Sequence, residues 1–114
     1  MSRDMAYLLD ILLAAKDARD FMAGLDKAAF LSDRKCQCAV TYGLEVIGAA
    51  VKRLSDESWR KYPDIPWSAM ARVRDLHIPA DDRVDLNEVW DTVQDDTPVL
   101  ISGLERTVPP EDEI

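Results

Sequence analysis

Residues 36–54 read CQCAVTYGLEVIGAAVKRL. Cys36, Val40, Gly43, Leu44, Ile47, Val51 and Leu54 recur at intervals of three and four, the spacing that gathers side chains onto one face of an α-helix. No alternation of period two runs through the stretch, so it is not a half-buried strand. Ser32 stands where a cap for this helix is expected, and the helix is predicted to reach about Leu54. Gly43 and Gly48 lie inside it, each costing roughly 1 kcal/mol relative to alanine where exposed. Close approach of a neighbouring helix is the reading that explains them; a ligand role is the other.

Upstream, Met5, Leu8, Leu12, Ala15 and Met22 form a second helical stripe, widened by Leu9, Ile11 and Phe21. It predicts a helix from after Ser2 to about Ala23, stopped at Gly24. A short helix or turn is expected over Asp26–Leu31. Downstream, Ser55 can cap one turn through Trp59, and Pro63 and Pro66 interrupt the chain. Pro66 suits the first position of a third helix, predicted to run to about His77 with Trp67, Met70 and Val73 on its apolar side. Pro79 disfavours helix at Ile78. Asp85 with Glu88 three residues on, and Val84 with Val89, are the signature of a capped and stapled helix start. Leu86, Val89, Trp90, Val93, Leu100, Ile101 and Leu104 are its buried stripe, and Thr97-Pro98 predicts a kink or restart. The expectation is an all-α, up-and-down bundle of four main helices without a sheet, formed by residues 1–106, with 107–114 as an acidic, proline-containing tail.

The chain has 114 residues and a net charge of −8, unevenly spread. Residues 1–51 carry six basic and seven acidic side chains, residues 52–80 six and four, and residues 81–114 two and eleven. General binding to nucleic acid or anionic membrane is therefore disfavoured, and only the middle third suits an anionic ligand. No stretch is long and apolar enough to span a membrane, and Asp4 and Asp10 interrupt any signal-peptide core. Cys36 and Cys38 point to different sides of one helix and lack nearby zinc-ligand companions. They are read as reduced thiols, which suits the cytoplasm.

The one histidine, His77, falls near Arg72 and Arg74. A histidine can move a proton near neutral pH, and an arginine can stabilise a negative phosphoryl transition state. The set suits RNA cleavage by the internal 2′-hydroxyl, which needs neither metal nor cofactor. A solvated helix end is the plainer reading of the same residues. Glu45 is read as a helix-flank ion-pair partner or an inward carboxylate near the site. Trp59, Trp67 and Trp90 are read as core or interface residues before base-stacking groups. Lys52-Arg53 and Arg60-Lys61 are a solvated face or a guide for RNA.

Several blocks together resemble the HepT-like toxins of the HEPN superfamily: Ser2–Ile11, Asp33-Arg34-Lys35 through Val40, Leu44–Ala50, Tyr62-Pro63-Asp64-Ile65-Pro66-Trp67, Val84–Trp90 and Pro98. The resemblance covers about residues 2–105. It implies a homodimeric helical bundle and a ribonuclease toxin whose arginine and histidine meet at the dimer interface. It also implies a minimal nucleotidyltransferase antitoxin as partner. The family signature is an arginine, commonly followed by a polar residue, with four to six residues in all between the arginine and a histidine, and a tyrosine two past the histidine that the partner modifies with AMP. Three registers fit Ala71–Pro79. Arg72 with His77 keeps the motif spacing but has Val73 in the polar position. A gapless alignment from Trp67 to Val84 matches Arg74-Asp75 and puts Pro79 where histidine belongs, implying an inactive domain that binds the nucleotidyltransferase. Arg74 with His77 needs compensating gaps. With His77 as the histidine, Pro79 occupies the tyrosine position. Residues five apart on a helix point roughly 140° apart, so Arg72 and His77 can converge only where the chain leaves the helix.

Overall fold

A computed structural model describes residues 3–72, 77–78 and 83–108, with only the backbone described at 77, 78, 83 and 84. The helices are α1 (Arg3–Phe21), α2 (Lys27–Leu31), α3 (Arg34–Arg53), α4 (Asp56–Lys61), α5 (Trp67–Arg72), α6 (Leu86–Asp91) and α7 (Thr97–Glu105). A π-helical turn over Thr92–Asp96 joins the last two. The fold is all-helical, as the stripes require. Among the described residues the extended feature is an antiparallel pair of two-residue strands, β1 (His77–Ile78) and β2 (Arg83–Val84), where no sheet was expected.

The long helices α1 and α3 pack against each other, with α5 on α3 and α7 on α1. Every residue of the Cys36–Leu54 stripe is buried. In one cluster with it are Leu8, Ile11, Leu12, Ala15 and Ala18 of α1, and Met22 just beyond α1. The contact is close at Gly43, where an added Cβ would lie 3.6 Å from the Ala14 carbonyl oxygen and 3.8 Å from the Ala18 Cβ. Gly103 on α7 leaves less room: a Cβ there would come within 2.8 Å of Ile65 Cγ1. Gly24 takes a φ of 83°, the left-handed conformation that ends α1 without steric cost. The tryptophans pack as the core reading has it. Trp67 is buried and stacks on Trp59 at 6.4 Å, and Trp90 lies 5.8 Å from buried Phe30. Val108, near the chain's end, also belongs to the core cluster.

Four local expectations are corrected. Asp33, not Ser32, caps α3: its Oδ1 accepts from the Cys36 amide at 3.0 Å, while Ser32 closes α2. A carboxylate one residue nearer the first free amides is the better-placed acceptor. Phe21, the last residue of α1, is 51% exposed, and Met22 just after it is buried instead. Pro66 sits just outside α5, its carbonyl accepting from the Met70 amide at 3.1 Å. The third helix does not extend to His77. It is described to Arg72, and His77 lies in β1, paired antiparallel with Val84. Pro79 accounts for the change, since it pushes Ile78 into extended backbone and removes an amide.

The Thr97-Pro98 restart takes a definite form. Pro98 has no amide for an α-helical bond, and its ring would clash with the carbonyl four residues back. The preceding turn widens, and the Thr97 amide and Oγ1 both donate to the Thr92 carbonyl, the hydroxyl at 3.2 Å. Thr97 is fully buried, so this bond satisfies a polar group out of reach of water.

Asp4 ties the start of α1 to the start of α4. Its Oδ2 accepts from Ser55 Oγ and Ser58 Oγ, each at 2.6 Å, and from the Ser55 amide at 3.3 Å. These bonds, Ser55's first and Ser58's second, hold its carboxyl below the usual value. Asp4→Ala is expected to cost about 1 kcal/mol at neutral pH, less than charge-assisted bonds in a dry core because the site is partly solvated. The sign follows from the depressed value. The contribution is full above the ordinary aspartate value of about 3.9 and fades as pH falls through the lower folded value. Urea melts of the two proteins should differ at pH 7 and converge in acid.

Candidate active site

Arg72 ends α5 and its side chain is exposed. Five residues on, His77 pairs with Val84, and Val84 precedes Asp85, the N-cap of α6. The Asp85 carboxylate accepts from the Glu88 amide at 3.2 Å. The histidine backbone is thus fastened to the entry of α6, and Arg72 is carried by a separate element. Arg74 lies outside the described residues, as does the His77 side chain. Among the predicted site residues, the structure therefore locates the arginine side chain at 72 and the backbone at 77.

Sequence reasoning passed over Asp96, in the π-helical turn. Burial pushes its carboxyl above the ordinary value, the adjacent Asp95 charge adds to this, and Arg72 acts in the opposite direction. Arg72 is therefore within electrostatic reach of the π turn. Thr97-Pro98 announces the irregular turn in the sequence, but nothing local announces that the Arg72 charge acts on Asp96. π-bulges recur at functional sites because they re-aim side chains. Glu45 is half-buried on α3. No group of three or more potential metal ligands occurs among the described residues, and no helix among them is long and apolar enough to cross a membrane.

The family profile described as Ribonuclease HepT-like matches residues 11–107, from the middle of α1 to beyond α7. The chain belongs to the HepT-like ribonuclease family. Relatives agree with the assignment. A Methanocaldococcus jannaschii protein, named putative RNase, is 41% identical over 103 residues, covering 90% of this chain and 85% of its own. A Thermococcus cleftensis protein, named probable ribonuclease HepT, is 40% identical over 100 residues, covering 88% of this chain and 91% of its own. No solved structure matches. The HepT-like match spans Arg72, Arg74 and His77, and an RNase-type function has its support from the family and these names.

Proposed function

We propose that this HepT-like chain is a metal-independent endoribonuclease toxin, acting as a cytoplasmic homodimer and held in check by a minimal nucleotidyltransferase antitoxin. His77 of one protomer takes the proton from a ribose 2′-hydroxyl as that oxygen attacks the adjacent phosphorus. His77 of the other gives a proton to the departing 5′-oxygen. Arg72 or Arg74 holds the negative charge of the phosphorane between them. The products are a 2′,3′-cyclic phosphate and a 5′-hydroxyl, and no outside reactant is consumed. The observation that carries this reading is the extended backbone at His77, outside the helix that carries Arg72. The roughly 140° separation that a continuous helix imposes on residues five apart does not apply to this pair. The acidic stretch 81–114 suits contact with a basic antitoxin surface.

One observation favours a second reading. Pro79 stands where the gapless alignment puts the histidine, which fits a domain that binds the nucleotidyltransferase without cleaving RNA. The purified full chain separates the two. Under the first reading it sediments as a homodimer at micromolar concentration and cuts RNA at an undiminished rate in EDTA, leaving cyclic phosphate ends. Intact RNA and harmless expression would leave the binding module. A monomer would remove the shared site, and inhibition by EDTA would remove the metal-independent chemistry.

A further inference from the structure

Where α1 begins beside α3's end, cations gather away from the Arg72–His77 region. Arg3 and Arg53 both act on the Tyr7 hydroxyl, with Arg3 the stronger, and the Arg3 guanidinium lies 5.9 Å from the Tyr7 ring centroid. Beside them opens a cleft of about 370 Å³, lined among others by Arg3, Lys61 and Tyr62. Lys61 Nζ stands 5.6 Å from the Tyr62 ring centroid. Arg3, Arg53 and Lys61 are exposed, and the ion pairs found among the described residues, Lys16–Glu105 and Arg19–Asp20, involve none of them. Of the acidic groups in the cleft, Asp4 accepts from the Ser55 and Ser58 hydroxyls and also acts on Arg3, and Glu57 adds a second negative charge. Three exposed cations, a phenol and a second aromatic ring suit a chain of phosphates that carries bases: cations take the phosphates and rings take base faces.

We infer that Arg3, Tyr7 and Arg53, with the adjoining Lys61–Tyr62 cleft, bind the phosphate backbone of a single-stranded RNA outside the cleavage site. This rests on the ribonuclease reading for the nature of the ligand. An anionic membrane is the poorer fit, because the exposed large apolar side chains Phe21, Leu31, Tyr42 and Val99 all lie outside this set. Tyr62 accepts at its carbonyl from Trp67 Nε1, at the start of α5, and Arg72 lies one short helix of roughly 9 Å further on.

The test measures binding of fluorescein-labelled oligouridylate to the full chain by anisotropy over a salt series, with cleavage followed separately. Arg3→Gln with Arg53→Gln should weaken binding on the order of tenfold and reduce the slope of log affinity against log salt by about 1.4, two single-strand contacts' worth. Tyr7→Phe should give a smaller loss. Arg34→Gln with Lys35→Gln, an equal charge change at the start of α3, should leave binding near wild type. Circular dichroism confirms that each variant is folded. Unchanged affinity and slope in the Arg3/Arg53 variant would overturn the inference while leaving the ribonuclease reading intact. An equal loss in the Arg34/Lys35 variant would overturn it too, as general charge alone. Failure of the wild type to bind RNA would do the same, whether or not it captured phosphatidylserine vesicles. RNA held through Arg3 and Arg53 but never cut would uphold the inference and remove the ribonuclease reading.

Discussion

His77→Ala is expected to reduce RNA cleavage by about 10²–10⁴-fold and to abolish growth inhibition on expression. The chain has one histidine, so no second imidazole within a protomer can take over the proton. In the proposed dimer both copies are lost together, removing base and acid at once. The fold should survive, because His77 is held through backbone pairing with Val84, which alanine can also make. A variant that stays helical and dimeric but inert therefore reports chemistry. Arg72→Ala and Arg74→Ala should differ, and the more damaging identifies the arginine facing the phosphorane. Arg72 has a predicted side effect of its own: its loss removes the positive charge acting on Asp96, so the Asp96 carboxyl should rise further. Cleavage at the wild-type rate by folded His77→Ala would exclude the histidine mechanism.

The helical bundle was legible because burial follows the 3.6-residue period over long stretches. Val40, Leu44, Ile47 and Val51 on α3 are each at most 1% exposed, and no other secondary structure puts all four on one side. The caps at Ser55 and Asp85 were likewise legible from a short polar side chain before a helical run. The end of the third helix was not. Trp67, Met70 and Val73 keep helical spacing toward His77, while Pro79 acts backward on the chain, and the pairing partner of His77 comes from beyond the turn. Pairing across a turn has no local period to read. The Arg72–Asp96 relation was hidden for the same reason, since it depends on how α5 packs. The site residues themselves stood out as the one histidine shortly after two arginines, yet their register rests on geometry that spacing alone leaves open.

Phe30→Ala is expected to destabilise the protein by about 3–5 kcal/mol, the usual cost of emptying a buried phenylalanine site. Among the described residues Phe30 is the largest side chain with no exposure, and it sits on a helix of only five residues. Such a helix is too short to persist by its own hydrogen bonds. It is held by the Asp26 cap, by Gln37 Nε2 donating to the Phe30 carbonyl at 2.9 Å, and by the ring itself against Trp90. The first two survive truncation and the third does not. The neighbours cannot collapse easily into the gap, because Trp90 is fixed on α6 and the facing α3 stripe is already packed against α1. For a domain of this size the loss should lower the melting temperature by roughly 10–20 °C, read at equal protein concentration because dimerisation adds to apparent stability. Phe30→Leu should recover much of it by refilling the space. The consequence reaches the proposed site through a continuous path: Phe30 packs on Trp90 of α6, α6 is capped by Asp85, and Val84 before it pairs with His77. Amide exchange at the start of α6 should therefore quicken in Phe30→Ala, more than in α1 or α3. An unchanged melting temperature would show that Phe30 is not a core residue, and uniform quickening across the chain would sever the path from α2 to the histidine.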